Sequence, residues 1–102
     1  MPLISIVVPC YNEQESLPIF LKELDGVVHI MTQQDPGISF EAVLIDDGST
    51  DKTLAVMKAE AATAHPYAIR WHSFSRNFGK EAALLAGLQH AKGDYVATMD
   101  AD

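Results

Sequence analysis

Basic residues are scarce in this sequence: seven Lys and Arg stand against fourteen Asp and Glu, giving a formal net charge of −7. So acidic a surface cannot supply the Lys/Arg footprint that a phosphate backbone requires, which excludes nucleic acid as a partner. Cysteine is nearly absent. Cys10 has no second thiol to pair with, so no disulfide forms within the chain, as fits a reducing compartment. Long apolar runs are missing too. The stretch from Ile4 to Cys10 is broken by Ser5 and Pro9 and falls far short of the roughly 20 residues a membrane span needs. No basic segment precedes that stretch, so a secretory signal is not expected. Internal repeats, linkers and low-complexity segments are also lacking. What is present is 102 residues, 48% of them hydrophobic, enough for one layered core and not for two domains. The expectation is a single cytoplasmic domain over residues 1–102.

The apolar spacing changes period in a regular order. Leu3 to Val8 is a β-branched run ended by Pro9, the pattern of a buried strand. From Glu15 to Gln33, Leu17, Phe20, Leu21, Leu24, Val28 and Met31 recur at three- and four-residue steps, which predicts an amphipathic helix. Pro18 is accommodated in its first turn. After the Asp35-Pro36-Gly37 turn, Phe40 to Ile45 reads as a second buried strand. A second helix is predicted from Asp51 to Ala64, capped by Ser49 or Thr50, with Leu54, Met57 and Ala61 inward. Ile69 to Phe74 alternates, as a strand near a sheet edge does. Gly79 to Ala91 is a third helix with Leu84, Leu85 and Leu88 inward and Gly93 as its C-terminal cap. Tyr95 to Met99 is a fourth strand. The order β-α-β-α-β-α-β implies an α/β fold: a Rossmann-like parallel sheet of about four strands with helices on both faces.

Ligands of such sheets bind at the carboxyl ends of the strands. The residues there are Pro9 to Glu13, Asp46 and Asp47, Ser75 to Lys80, and Asp100 with Asp102. Every segment brings polar groups to one rim. Asp100-Ala101-Asp102 sets two carboxylates two residues apart where a strand ends, so both can face one ion. Hard oxygen ligands suit Mg²⁺ or Mn²⁺, whose remaining positions are filled by phosphate and water. The bland alternative is a solvated acidic turn. Asp46-Asp47-Gly48-Ser49 reads first as a turn and helix cap, but capping leaves one carboxylate free for a base N–H or a ribose hydroxyl. Tyr11 offers an aromatic face to a nucleobase, or is a tyrosine at the edge of the core. Glu13 suits the first turn of a helix on dipole grounds alone. Arg76 and Lys80 lie at a helix start, where acids are the usual choice, and two cations there point to phosphate. Gly87, inside a helix, implies close helix–sheet packing. His29, His65, His72, His90 and Cys10 lack metal spacing and read as structural, and Trp71 as core or sheet surface. A dinucleotide fold would carry G-x-G-x-x-G after the first strand, and none is there. A receiver domain would place its acids after strands one and three, where this chain has Tyr-Asn-Glu and Ser-Arg-Asn. A non-catalytic nucleotide-binding or interaction module stays open.

Four blocks together, V-V-P-C-Y-N-E (Val7 to Glu13), D-D-G-S-T-D (Asp46 to Asp51), S-R-N-F-G-K-E-A-A-L (Ser75 to Leu84) with G-D-Y (Gly93 to Tyr95), and D-A-D (Asp100 to Asp102), resemble family 2 glycosyltransferases. The resemblance covers essentially the whole chain. It is nearest the polyprenyl-phosphate sugar transferases of the dolichol-phosphate mannose synthase and bactoprenol glucosyltransferase types. It implies the nucleotide-binding half of a GT-A type fold, transferring sugar from a UDP- or GDP-sugar to a polyprenyl phosphate. By that resemblance Pro9, Tyr11 and Glu13 line the nucleoside pocket, and Asp47 or Asp46 meets the base. Asp100 contacts ribose or sugar, Asp102 (with Asp100) holds Mg²⁺ or Mn²⁺, and Arg76 and Lys80 face the phosphates. Family members continue past D-A-D, and the catalytic base is expected in that further part. The chain is therefore expected to be a donor-binding fragment, inactive in transfer alone. The full-length protein is expected at the cytoplasmic face of the membrane. An uncovered fourth strand leads to the expectation of a homodimer.

Overall fold

The computed structural model describes residues 2–102. Its elements follow the expected order: β1 (Leu3–Cys10), α1 (Ser16–Gln34), β2 (Ser39–Asp46), α2 (Thr53–Ala61), β3 (Ala68–Ser73), α3 (Lys80–His90) and β4 (Tyr95–Thr98). The strands form one parallel sheet in the order β3-β2-β1-β4. The two central strands, β1 and β2, carry the β-branched runs, because only there are both faces of a strand covered. β3 alternates because it is an edge. β4 is the other edge, and its Tyr95 is 65% exposed.

Alternation along β1 sorts the core into two layers. Ile6, Val8 and Cys10 point to one face, where Leu17, Leu21, Leu24 and Val28 of α1 and Met57 of α2 cover them. Val7 points to the other, with Val43, Ile45 and Ala83 of α3. Each aliphatic side chain so buried contributes about 1.5–3 kcal/mol of transfer free energy. The helix spacing read from the sequence holds for α1, apart from Met31, which is exposed.

α3 differs. Leu85 and Leu88 are exposed; the buried residues are Ala83 and Gly87, with Leu84 partly buried against the same cluster. The reason is distance: a Cβ on Gly87 would run into the side chain of Val7, so the helix approaches β1 through its smallest residues. Gly93 is no left-handed cap either. A Cβ there would lie 2.6 Å from Ser5 Oγ and 2.7 Å from the Leu3 carbonyl, so this glycine lets the backbone pass close to β1. α2 is shorter than expected, and its first N–H, that of Thr53, donates to Asp51 Oδ1 at 2.9 Å instead of to Ser49 or Thr50. No described helix is long and apolar enough to cross a membrane.

A buried polar network ties the end of α3 to the sheet. Glu41 on β2 accepts from Ser5 Oγ on β1 (2.5 Å), from Arg70 Nη2 on β3 (2.8 Å) and from Lys92 N (2.8 Å). Burial would raise this carboxyl, but the three donors outweigh it and hold the group below its ordinary value. This fixes the take-off of β4 and hence of Asp100 and Asp102.

Candidate functional site

The carboxyl ends of β1, β2 and β4 and the start of α3 enclose a cleft of about 300 Å³, lined by Pro9, Cys10, Tyr11, Glu13, Asp47, Lys80, Asp100 and Asp102. Residues from four separate segments meet there because parallel strands end on one edge.

Tyr11 and Glu13 sit on a loop that the sequence argument leaves unexplained. Asn12 adopts a left-handed conformation (φ 54°), which Asn tolerates better than most residues. Its side-chain carbonyl accepts from Thr50 N at 2.8 Å and Asp51 N at 3.3 Å, while its own N–H donates to Ser49 Oγ at 3.0 Å. Glu13 N donates to Thr53 Oγ1 at 2.8 Å, and Gln14 accepts from Lys52 N at 2.9 Å. The loops after β1 and β2 are thus stitched together, which orients Tyr11, 45% exposed, at the cleft mouth. The Glu13 carboxylate accepts from Ser16 Oγ. Asn12, Ser49, Asp51 and Thr53 are the positioning residues that motif reading passes over. Their signal was the run of turn-forming side chains after each strand.

The two acids after β2 part company. Asp46 is 3% exposed and outside the cleft lining; its oxygens accept from Ser49 N (3.0 Å) and Ser73 Oγ (2.8 Å). Asp47 is equally buried but borders the cleft. Its carboxylate accepts from Phe78 N at 2.8 Å, Gly79 N at 3.1 Å and Asn77 Nδ2 at 3.1 Å, and so anchors the loop that opens α3. Gly48 (φ +66°) lies against the Arg76 backbone, where no side chain fits. Arg76 itself is exposed, its guanidinium 4.8 Å from the Phe78 ring centre, and it does not line the cleft.

The remaining wall is charged. Lys80 Nζ lies 2.7 Å from Asp100 Oδ1, and that contact raises the lysine above its ordinary value. Ala101 is buried in the core cluster while Asp100 and Asp102 on either side are exposed. The strand's alternation therefore persists past β4 and turns both carboxylates outward. Cys10 is no competing ligand: burial first, then Glu13, Asp46 and Asp102, push its thiol up to about 12. The donor set is oxygen only, which fits Mg²⁺ or Mn²⁺. No group of three or more His, Cys, Asp or Glu able to hold an ion is found among the described residues, so two carboxylates would need ligand oxygens to complete a shell.

The histidines lie elsewhere. His65 bridges Asp25 (2.8 Å) and Glu60 (3.1 Å) between α1 and α2, and His72 stacks on His90 with centroids 3.6 Å apart.

Residues 5–102 match the family model "Glycosyl transferase family 2". Among curated proteins, the chain is 40% identical over 100 residues to an undecaprenyl-phosphate 4-deoxy-4-formamido-L-arabinose transferase of Pseudomonas paraeruginosa, covering 98% of this chain and 28% of that protein. It is 43% identical over 101 residues to the enzyme of the same name from Sodalis glossinidius, again 28% of its length. Among solved structures it superposes with a TM-score of 0.82 and 29% identity on mannosyltransferase PcManGT from Pyrobaculum calidifontis, in complex with GDP-Man and Mn²⁺, over 99% of this chain and 28% of that one. S. aureus TarS 1-349 in complex with UDP gives a TM-score of 0.75 at 24% identity, covering 97% of this chain and 27% of that one, a likeness of fold. The chain thus spans under a third of the length of these relatives.

Proposed function

The chain belongs to glycosyl transferase family 2, and from that membership we propose that its cleft binds the nucleoside diphosphate sugar of a transfer to a polyprenyl phosphate. The observation that carries the reading is the convergence of Tyr11, Asp47, Lys80, Asp100 and Asp102 on one cleft at the carboxyl edge of the sheet. A mannosyltransferase of the same fold is complexed with GDP-Man and Mn²⁺, and the curated relatives are named as undecaprenyl-phosphate transferases. Both support the assignment of donor and acceptor class, and a lipid acceptor favours work at a membrane surface, which we take to be the cytoplasmic face.

In this reading the Tyr11 ring, exposed at the mouth beside Pro9 and Glu13, stacks on the base. Asp47 has its oxygens turned to the Asn77 side-chain amide and the Phe78 and Gly79 N–H groups, so its contribution to the base pocket is chiefly to hold the wall. Asp100 and Asp102 hold Mg²⁺ or Mn²⁺, and Lys80 faces the diphosphate. The cation, when bound, neutralises charge on the departing nucleoside diphosphate. Asp46 and Arg76 act from outside the cleft, the first by bracing the turn after β2, the second from the exposed loop before α3.

The test is calorimetric titration of UDP and GDP into the chain with and without Mn²⁺. Metal-dependent binding of one nucleotide, abolished in Asp102→Asn, is the expected result. Equal binding with and without the ion, or an unaffected Asp102→Asn, refutes the reading.

A further inference from the structure

Lys80 stands at the unfavourable end of its helix. It is the first residue of α3, where the aligned backbone dipoles disfavour a cation. Its side chain is 61% exposed, and the partner it does have is Asp100. That carboxylate is one of the two oxygen donors suited to a divalent ion. Lys80, Pro9 and Asp100 also border a second hollow of about 210 Å³, completed by Leu84, Thr98 and Met99. The ion pair therefore borders both hollows. Within the main cleft Lys80 is the one cationic lining residue beside four carboxylates, Glu13, Asp47, Asp100 and Asp102.

We propose that Lys80 is an exchangeable counter-ion, holding Asp100 before donor binding and turning to the donor's diphosphate once that carboxylate is engaged by a divalent cation. The inference rests on the donor-site reading and adds to it a residue that changes partner. Three physical points carry it. An ammonium–carboxylate pair this exposed is weak, because water screens both charges, so Asp100 gives it up readily to a doubly charged ion. Lysine is a compact charge on a flexible four-carbon stem with three rotatable donors, so it can re-aim without moving α3. Released from Asp100, it faces a cleft whose new occupant is anionic, and a charge-assisted bond to a phosphate oxygen is stronger than the bond it left. The two roles have opposite signs. Before binding Lys80 competes with the ion; afterwards it strengthens the hold on the diphosphate.

The experiment exploits that opposition. Mn²⁺ alone is titrated into the wild-type chain, Lys80→Met and Lys80→Arg, with free ion read by its paramagnetic resonance signal. The nucleotide bound by the wild type is then titrated at saturating Mn²⁺. Lys80→Met is expected to bind Mn²⁺ about two- to fivefold more tightly, and the nucleotide about tenfold or more weakly. Lys80→Arg restores the nucleotide affinity to within a few-fold. A purely structural role would weaken both, and matching thermal melts of the three chains exclude misfolding. Unchanged or weaker Mn²⁺ binding by Lys80→Met overturns the exchange, and unchanged nucleotide affinity overturns the transfer to phosphate. If the wild type takes up no nucleotide in the presence of Mn²⁺, the donor-site reading itself has failed, and that is seen before any variant is compared.

Discussion

Replacing Asp47 by Asn separates a residue that reads a ligand from one that builds the wall around it. The carboxylate is 3% exposed and accepts from three donors of one loop: Phe78 N at 2.8 Å, Gly79 N at 3.1 Å and Asn77 Nδ2 at 3.1 Å. Asn retains one acceptor oxygen. Turned to Phe78 N, the stronger contact, it sets its own NH₂ against the Asn77 amide and Gly79 N–H, donor facing donor. Hydrogen bonds to a charged group contribute about 1.5–3 kcal/mol, and an unpaired buried donor costs about 1–3 kcal/mol. With part of the set preserved, the expected loss is about 2–4 kcal/mol, within the roughly 5–15 kcal/mol stability of a domain. At about 4–8 °C per kcal/mol for a chain of this size, the melting temperature falls by at least about 8 °C. Circular dichroism melts of wild type, Asp47→Asn and Asp102→Asn provide the assay. Asp102 is exposed, and its variant is expected to melt with the wild type. An Asp47→Asn chain melting within about 2 °C of wild type, a shift that would correspond to well under 1 kcal/mol, refutes the reasoning, because the carboxylate would then be free for the ligand.

Two further perturbations test the packing and the charge pairs. Gly87→Ala places a methyl against Val7; overpacking of about 1–3 kcal/mol outweighs the roughly 1 kcal/mol gained in helix propensity, so the chain is destabilised, and Val7→Ala in the same chain restores much of the loss in urea melts. Burial pulls His65 down, but Asp25 and Glu60 outweigh it and raise it above 6.5, so the stabilisation it contributes is full below pH 6.5 and is lost as pH rises through the folded value. The urea midpoint of the wild type should therefore fall relative to that of His65→Gln from about pH 6.5 upward. His72, lowered by burial and by His90 and Arg70, contributes the opposite slope on the acid side, and His72→Gln reveals it separately.

The sheet and its helices were legible because period reports burial directly: β1 and β2 read as continuous apolar runs since both faces are covered, and β3 alternates since it is an edge. α3 defeats the same logic. Hydropathy points Leu84, Leu85 and Leu88 inward; Leu84 does pack against the core from the side, but a helix lying this close to β1 admits only Ala83 and Gly87 at its line of contact and leaves Leu85 and Leu88 exposed. Distance of approach is a property of the assembled layers and is not encoded in local apolar spacing. Gly93 shows the same limitation, since its conformation is ordinary and its reason is the Leu3–Ser5 backbone beside it. The Glu41 network escapes notice for a related cause. A single acid in an apolar run looks like a defect until Ser5, Arg70 and the Lys92 N–H converge on it.

For the candidate site, the strand-end rule locates the acids but does not say which are engaged. Asp46 and Asp47 are neighbours of the same type, both nearly buried, and one braces a turn while the other walls the cleft. Asp100 and Asp102 are the least constrained of the four, lying beyond the last hydrogen-bonded strand pair with Ala101 as the buried pivot between them. That ranking bears on mechanism. A carboxylate already accepting three protein donors has little left for a ligand, whereas one held by a single exposed ammonium can change partners at small cost. On the donor-site proposal, the division of labour then follows from hydrogen-bond satisfaction: the acids after β2 keep the cleft in shape, and those after β4, with Lys80, respond to what enters it.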